Sequence, residues 1–276
     1  MDQGTASPAI KLRSGAEIPS VGLGVFRASR GDETREAVLA AFERGYRHVD
    51  TARVYGNEAD VGAAIRSSKI PREQLFVTTK LWNDDQGYDS ALRAFDASLS
   101  RLGLDYIDLY LLHWPVPERR LDSWRALERL QREGRVRSIG VSNFMEHHLE
   151  ELLARSSIVP DVNQIEVHPF HQQRGVRELC ARHGIVVEAY SPLAKASRLT
   201  HPVVQSVAQS AERTPAQVLL RWGLQRSMVV LPKSVRPARI AENIALFDFS
   251  LDEGALAKLD ALDEGAATGW DPRRAP

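Results

Sequence analysis

Cysteine is almost missing from this chain: one of its 276 residues, Cys180, carries a thiol. An internal disulfide is therefore excluded. Cys180 lies in the apparent helix RGVRELCARHG, where packing is the expected use, because neutral and basic neighbours do not by themselves lower a thiol pKa. Lysine is scarce as well, six residues (11, 69, 80, 195, 233 and 258) against about thirty arginines. A lysine at a structurally special place thus stands out. Net charge is absent, with 36 basic and 36 acidic residues, which gives no broad attraction for nucleic acid or an anionic membrane surface. No run of 18 or more apolar residues occurs, and the opening MDQGTASPAIKL lacks a basic segment followed by an apolar stretch. A cytoplasmic, reducing setting without nucleic-acid or membrane partners is expected. The histidines, among them His113, His147, His148, His168, His171 and His183, fall into neither HExxH nor Cys/His spacing, so no metal is expected.

What is present is the composition of an ordinary globular protein, 43% hydrophobic and 26% charged, able to bury a sizeable core. LRSGAEIPSVGLGVF predicts a small hairpin turning at Ser14-Gly15, then a first core strand over 21–25. A rhythm follows. DETREAVLAAFERGY carries Ala37, Val38, Ala41 and Phe42 at helical spacing and leads into HVDT. Helices over about 57–67 and 89–102 precede the apolar strands LFVTTK and IDLYLLH. The alternation continues through SIGVSN, DVNQIE, IVVEAYS and MVVLPKS. Eight short strands, each followed by helical sequence, predict an α/β, single-domain (β/α)8 barrel spanning 1–276, with its core over about 12–262 and a C-terminal loop over 263–276. An open doubly wound sheet would want GxGxxG after its first strand, and GLGVF lacks the third glycine. HPVVQSVAQSA and SLDEGALAKLDAL supply two extra helices that decorate the barrel.

In a parallel barrel the chemistry sits at the C-terminal strand ends, and here those ends are unusually polar. Asp50 ends strand two, Lys80 strand three, His113 strand four, Tyr190 strand seven and Lys233 strand eight, while Asn143 follows strand five and Gln164 lies in strand six. Each alone has a bland explanation. A single lysine there is more often a solvated cap, and Tyr55 in RVYGNE reads in isolation as a surface loop tyrosine. If Asp50, Tyr55, Lys80 and His113 converge, an ammonium beside the phenol lowers its pKa toward the range a general acid needs. Asp50 would pair with Lys80, and His113 would hydrogen-bond a substrate oxygen.

Seven motifs then occur in a recognisable order: GYRHVDTARVYGNE (45–58), LFVTTKLW (75–82), DLYLLHWPVP (108–117), GRVRSIGVSNF (134–144), VNQIEVHP (162–169), EAYSPL (188–193) and LPKSVRPARIAEN (231–243). With these the chain resembles the aldo-keto reductase superfamily, in particular its bacterial branch that includes 2,5-diketo-D-gluconate reductases. The resemblance implies a monomeric NADPH/NADP+-dependent reductase of small-molecule carbonyls, with Asp50, Tyr55, Lys80 and His113 as the catalytic set and Tyr55 as proton donor. It implies further that Ser142, Asn143 and Gln164 hold the nicotinamide carboxamide, that Tyr190 stacks on the ring, and that Gly24 and Val25 lie beside the cofactor. Ser191, Pro192 and Leu193 would line the pyrophosphate. Lys233, Ser234, Val235 and Arg239 would grip the 2′-phosphate, and Glu242 and Asn243 would face adenine.

For the substrate the family positions are Phe26, Trp82, His113 and Trp114, apolar walls around a polar floor. The tail DEGAATGWDPRRAP departs from the longer, more acidic endings of relatives, and Trp270 either enters the pocket or caps the barrel. The same barrel also serves as a cofactor-binding regulatory subunit, as in the β-subunits of potassium channels, and an intact catalytic set does not by itself separate the two functions.

Overall fold

The computed structural model describes residues 7–274; the ends of the expected domain, residues 1–6 and 275–276, lie outside the described residues. Strands β1 (Ala9–Lys11) and β2 (Glu17–Pro19) form the predicted antiparallel hairpin, with Ile10 opposite Ile18. Its turn needs a left-handed residue, and Gly15 supplies φ of 90°. The hairpin buries Leu12 and Ile18 against Phe76, Leu109, Leu111, Val162 and Val229. It thereby plugs the end of the barrel opposite the strand C-termini.

The barrel strands are β3 (Leu23–Gly24), β4 (His48–Asp50), β5 (Phe76–Leu81), β6 (Ile107–Leu112), β7 (Val136–Ser142), β8 (Val162–Glu166), β9 (Val186–Tyr190) and β10 (Val229–Leu231). They lie side by side in chain order, all parallel. The ring closes through Val230 N–H to Ser20 O at 2.9 Å, Gly22 N–H to Val230 O at 3.0 Å and Gly24 N–H to Pro232 O at 3.1 Å. The first strand, expected over 21–25, pairs regularly with β4 only at Leu23–Gly24, while Val21 bridges to β10. Tilted strands in a closed barrel meet their two neighbours at staggered positions, which splits the pairing. Gly22 is needed where it stands, since a Cβ there would lie 2.5 Å from His48 Nδ1.

Eight helices cover the strands: α1 (Asp32–Glu43), α2 (Glu58–Ser67), α3 (Tyr88–Leu102), α4 (Arg120–Arg132), α5 (Glu146–Arg155), α6 (Arg174–Arg182), α8 (Pro215–Gln225) and α9 (Pro237–Ile244). The two extra helices are α7 (Pro202–Ser210) and α10 (Glu253–Asp260), with α7 packed on both α8 and α10. Helix α1 buries the predicted stripe Ala37, Val38, Ala41 and Phe42. Helix α8 begins at a capping box, in which Thr214 Oγ1 accepts from Gln217 N–H and Gln217 Oε1 accepts from Thr214 N–H. Cys180 is buried and its thiol is pushed up to about 11 by that burial, which leaves it inert at neutral pH. Among the described residues no helix is long and apolar enough to cross a membrane.

Candidate active site

Side chains alternate along a strand, so one residue in two faces the barrel interior. On β4 that register turns Asp50 inward, on β5 Lys80, on β8 Gln164 and on β9 Glu188, and their side chains meet within hydrogen-bond distance. Lys80 Nζ donates to Asp50 Oδ1 at 2.7 Å, to Asp50 Oδ2 at 2.8 Å and to Thr51 O at 3.0 Å, and stands 3.3 Å from Tyr55 Oη. Gln164 Nε2 donates to Asp50 Oδ2 at 2.8 Å and to Glu188 Oε2 at 2.6 Å. Tyr55 is presented by a short 3-10 turn, Arg53–Tyr55. Buried Asn57 ties that turn to the end of β3: its Nδ2 donates to Val25 O at 3.0 Å and its Oδ1 accepts from Thr51 Oγ1 at 2.8 Å. His113, directly after β6, meets the Tyr55 ring edge-on at 5.9 Å between centroids. The four residues of the expected catalytic set are thus one cluster.

Burial decides how these groups titrate. The expected lowering of the Tyr55 pKa is not the net outcome: burial raises it above 10.0 and outweighs the pull of the Lys80 ammonium. Desolvation of a phenolate costs more than one cation 3.3 Å away returns when that cation already belongs to Asp50. Tyr55 therefore keeps its proton. Burial also works against the charge of Lys80, but Asp50 and Tyr55 reverse the balance and the ammonium persists. His113 is lowered well below 6.5 by burial and by Lys80, so its imidazole is neutral. Beneath them, burial and the nearby Asp50 raise Glu188 to about 8, and burial lowers His48 to about 3. Burial thus pushes both members of the lower pair toward their neutral forms, with His48 Nε2 3.5 Å from Glu188 Oε1.

The aromatic residues expected at the rim surround this cluster. Phe26 packs on Tyr55 with centroids 4.9 Å apart, Trp82 meets His113 edge-on at 5.3 Å, and Trp114 lies parallel to His113 at 6.4 Å. Trp270 stands at the edge of this rim, its ring centroid 4.5 Å from that of Trp114 while 60% of the residue stays exposed. On the opposite side Ser142 Oγ donates to Gln164 O, Asn143 Nδ2 donates to His113 O, and Tyr190 Oη donates to Asn143 Oδ1. Asn143 adopts φ of 63°, a conformation asparagine tolerates better than most residues. The loop after β9 carries Ser191, Pro192 and Leu193, and left-handed conformations recur at Ser191, Ala194, Lys195 and Ala196. Gly24 and Val25 are buried at the end of β3, beside β10.

Past β10, Lys233 and Arg239 are exposed, Ser234 is buried, and Val235 is half-buried. Ser234 Oγ accepts from Arg236 N–H at 3.1 Å, which shapes the entry to α9. Glu242 already holds a partner, accepting from Thr214 Oγ1 at 2.5 Å, and Asn243 is buried next to it.

A model of the Aldo/keto reductase family matches residues 20–264. The chain belongs to this family. An aldo-keto reductase of Mycobacterium sp. (strain KMS) is 52% identical over 269 residues, covering 97% of each chain. The glyoxal reductase of Bacillus subtilis (strain 168) is 48% identical over 263 residues, covering 95% of each. Among solved structures, the Bombyx mori aldo-keto reductase in complex with NADP superposes with a TM-score of 0.91 at 38% identity, over 96% of this chain and 95% of that one.

For this aldo-keto reductase, sequence reasoning passed over His48, Asn57, Glu166 and Glu188. The signal for three of them was in the strand register. His48 lies two residues before Asp50 and Glu188 two before Tyr190, so each faces the same interior as a residue already singled out. Glu166 lies two residues after Gln164 at the mouth of β8. Asn57 carried no local signal, because its partners are 32 and 6 residues away.

Proposed function

We propose that this aldo-keto reductase reduces aldehydes and ketones, dicarbonyls and keto sugars among them, to alcohols with NADPH, and that Tyr55 donates the proton. The observation that carries the reading is one buried cation, Lys80, shared between the Asp50 carboxylate and the Tyr55 hydroxyl. A protonated phenol fixed beside a permanent positive charge is a proton donor whose developing phenolate is stabilised as it forms.

The residues present fit a nicotinamide cofactor. Both side-chain hydrogen bonds of Gln164 are made by Nε2, and among the described residues none reaches its Oε1. It is thus an available acceptor for a carboxamide NH2. Ser142 and Asn143 would complete the hold on that group, the half-buried Tyr190 ring would stack on the nicotinamide, and Gly24 and Val25 would flank it. When bound, NADPH supplies the hydride for the carbonyl carbon. Ser191, Pro192 and Leu193 would line its pyrophosphate, and Glu242 and Asn243 its adenine. Lys233, Ser234, Val235 and Arg239 would take the 2′-phosphate, for which the planar donors of arginine are well suited. Neutral His113 orients the carbonyl oxygen toward Tyr55 Oη, and the rim of Phe26, Trp82 and Trp114 excludes water from the reacting bond. The whole chain is read as one catalytic domain, acting as a cytoplasmic monomer without nucleic-acid or membrane partners.

Following NADPH absorbance with a panel of dicarbonyls, aldehydes and keto sugars tests the function. Turnover of several members is expected; tight NADPH binding with no turnover of any would turn the assignment to a regulatory subunit. Cofactor choice has its own test. Arg239→Ala is expected to weaken NADPH binding by about tenfold or more and NADH binding far less, as the loss of a charge-assisted phosphate contact requires. Equal losses for the two cofactors, measured by fluorescence titration, would remove Arg239 from the 2′-phosphate site.

A further inference from the structure

Trp270 poses a physical problem. A tryptophan 60% exposed, on a tail without regular structure, has little burial to hold it, yet its ring lies 4.5 Å from that of Trp114. Something other than burial fixes it. Two residues earlier, Thr268 makes three hydrogen bonds to parts of the barrel far away in sequence. Its N–H and Oγ1 both donate to Glu166 Oε1, at 2.7 and 2.5 Å, and its carbonyl accepts from Lys195 Nζ at 2.6 Å. Glu166 is the last residue of β8 and is buried, with His168 Nε2 at 3.2 Å from the same oxygen. Although burial works against its charge, His168 and Thr268 bring its pKa below the usual value, so it is an ionised acceptor. Lys195 belongs to the loop after β9, where Ala194, Lys195 and Ala196 hold consecutive φ values of 47°, 52° and 65°. Backbone held in that region by residues other than glycine persists only where surrounding contacts over-determine it. A second tie joins the same loop and tail, Arg198 Nη2 to Glu264 Oε2 at 2.8 Å.

We propose that Glu166, Thr268 and Lys195 form a tether that sets substrate selectivity, by fixing Trp270 as an outer aromatic wall for flat aromatic carbonyls and joining that wall to the loop after β9. The proposal rests on the carbonyl-reductase reading above. Glu166 and Lys195 are positioning residues in it; they act through Thr268, and Thr268 acts through Trp270. A small substrate seated on Tyr55 and His113 does not reach Trp270 and does not sense the tether. A substrate carrying an aromatic ring does, because edge and face contacts with a fixed indole add attraction beyond area burial.

The test compares phenylglyoxal with methylglyoxal, which share the reacting dicarbonyl and differ by a ring in place of a methyl group. Thr268→Val removes the hydroxyl donor and keeps the backbone. It is expected to lower kcat/KM for phenylglyoxal by about threefold to tenfold, chiefly through KM, the range that one aromatic contact supplies, and to leave methylglyoxal unchanged. Glu166→Gln keeps an acceptor oxygen and retains most of the wild-type ratio, whereas Lys195→Met shifts it in the same direction as Thr268→Val. In a Trp270→Ala background the Thr268→Val change has no further effect on phenylglyoxal, since coupled residues are not additive. The exciton signal of the Trp114 and Trp270 pair in circular dichroism, read without substrate, weakens in Thr268→Val. An unchanged phenylglyoxal to methylglyoxal ratio, or an equal loss in the Trp270→Ala background, overturns the tether. Wild-type protein that reduces neither compound overturns the carbonyl-reductase reading instead, so the two failures are distinct.

Discussion

Tyr55→Phe is expected to lower the rate of carbonyl reduction by about two to four orders of magnitude, the contribution of one positioned general acid, while NADPH binding stays close to that of wild type. The substitution removes one oxygen and nothing else. The phenyl ring keeps its contact with Phe26 and His113, and the Asp50 and Lys80 pair keeps its two hydrogen bonds. Single-turnover kinetics and a cofactor titration on the same preparation check it; retention of most of the rate would remove Tyr55 as proton donor. The pH dependence follows from the same group. As the proposed proton donor Tyr55 needs its proton, and its pKa is raised above 10.0, so reduction is expected to be retained from neutral pH upward and to be lost only as pH rises through that pKa. On the acid side His113 takes up no proton near 6.5, because its pKa lies well below, and the rate does not fall there. A wild-type profile dropping through 6.5 would contradict the neutral imidazole.

Lys80→Met has the second large effect, on stability as well as activity. Lys80 is fully buried, and its removal leaves the Asp50 carboxylate in the barrel interior with Gln164 Nε2 as its remaining side-chain donor. Breaking one side of a buried ion pair costs about 3–5 kcal/mol, and the surviving donor places this case toward the lower end. Tyr55 loses the cation that offsets its burial, its pKa rises further, and it becomes a weaker acid. Urea unfolding is expected to show the loss, and reduction to fall by at least a hundredfold, about the lower bound for losing general-acid help. The double variant Asp50→Asn with Lys80→Met separates the two effects. With both charges gone the desolvation penalty disappears and stability returns toward wild type, but activity does not. Recovery of both would mean that Lys80 serves the fold alone.

The alternation of short apolar strands with amphipathic helices made the barrel, its hairpin and its two added helices legible, because burying one strand face and one helix stripe leaves a periodic trace in the chain. The ends of elements were less legible. The first strand shows this, since its pairing is divided between β4 and β10 by barrel closure rather than by its own residues. Asp50, Lys80 and His113 of the candidate catalytic set were visible as polar side chains at strand ends, but Tyr55 was not, for it lies on a short turn 25 residues from Lys80. Family motifs supplied what local pattern did not. Glu188 and Glu166 carried a signal in the two-residue register that went unread, and the direction of the Tyr55 pKa was misjudged because a sequence carries no measure of burial.

The sequence by itself determined which residues face the interior, that their strand ends are polar, and that one scarce lysine falls among them. Periodicity and residue type are properties of neighbours along the chain, and these conclusions need nothing more. Only the tertiary structure decided which charges cancel, which protons are held, and where an exposed tail comes to rest. Desolvation and Coulomb interactions depend on distances between groups far apart in the chain, as between Gln164 and Asp50, 114 residues apart, or Thr268 and Glu166, 102 apart. Closure of the barrel sets those distances.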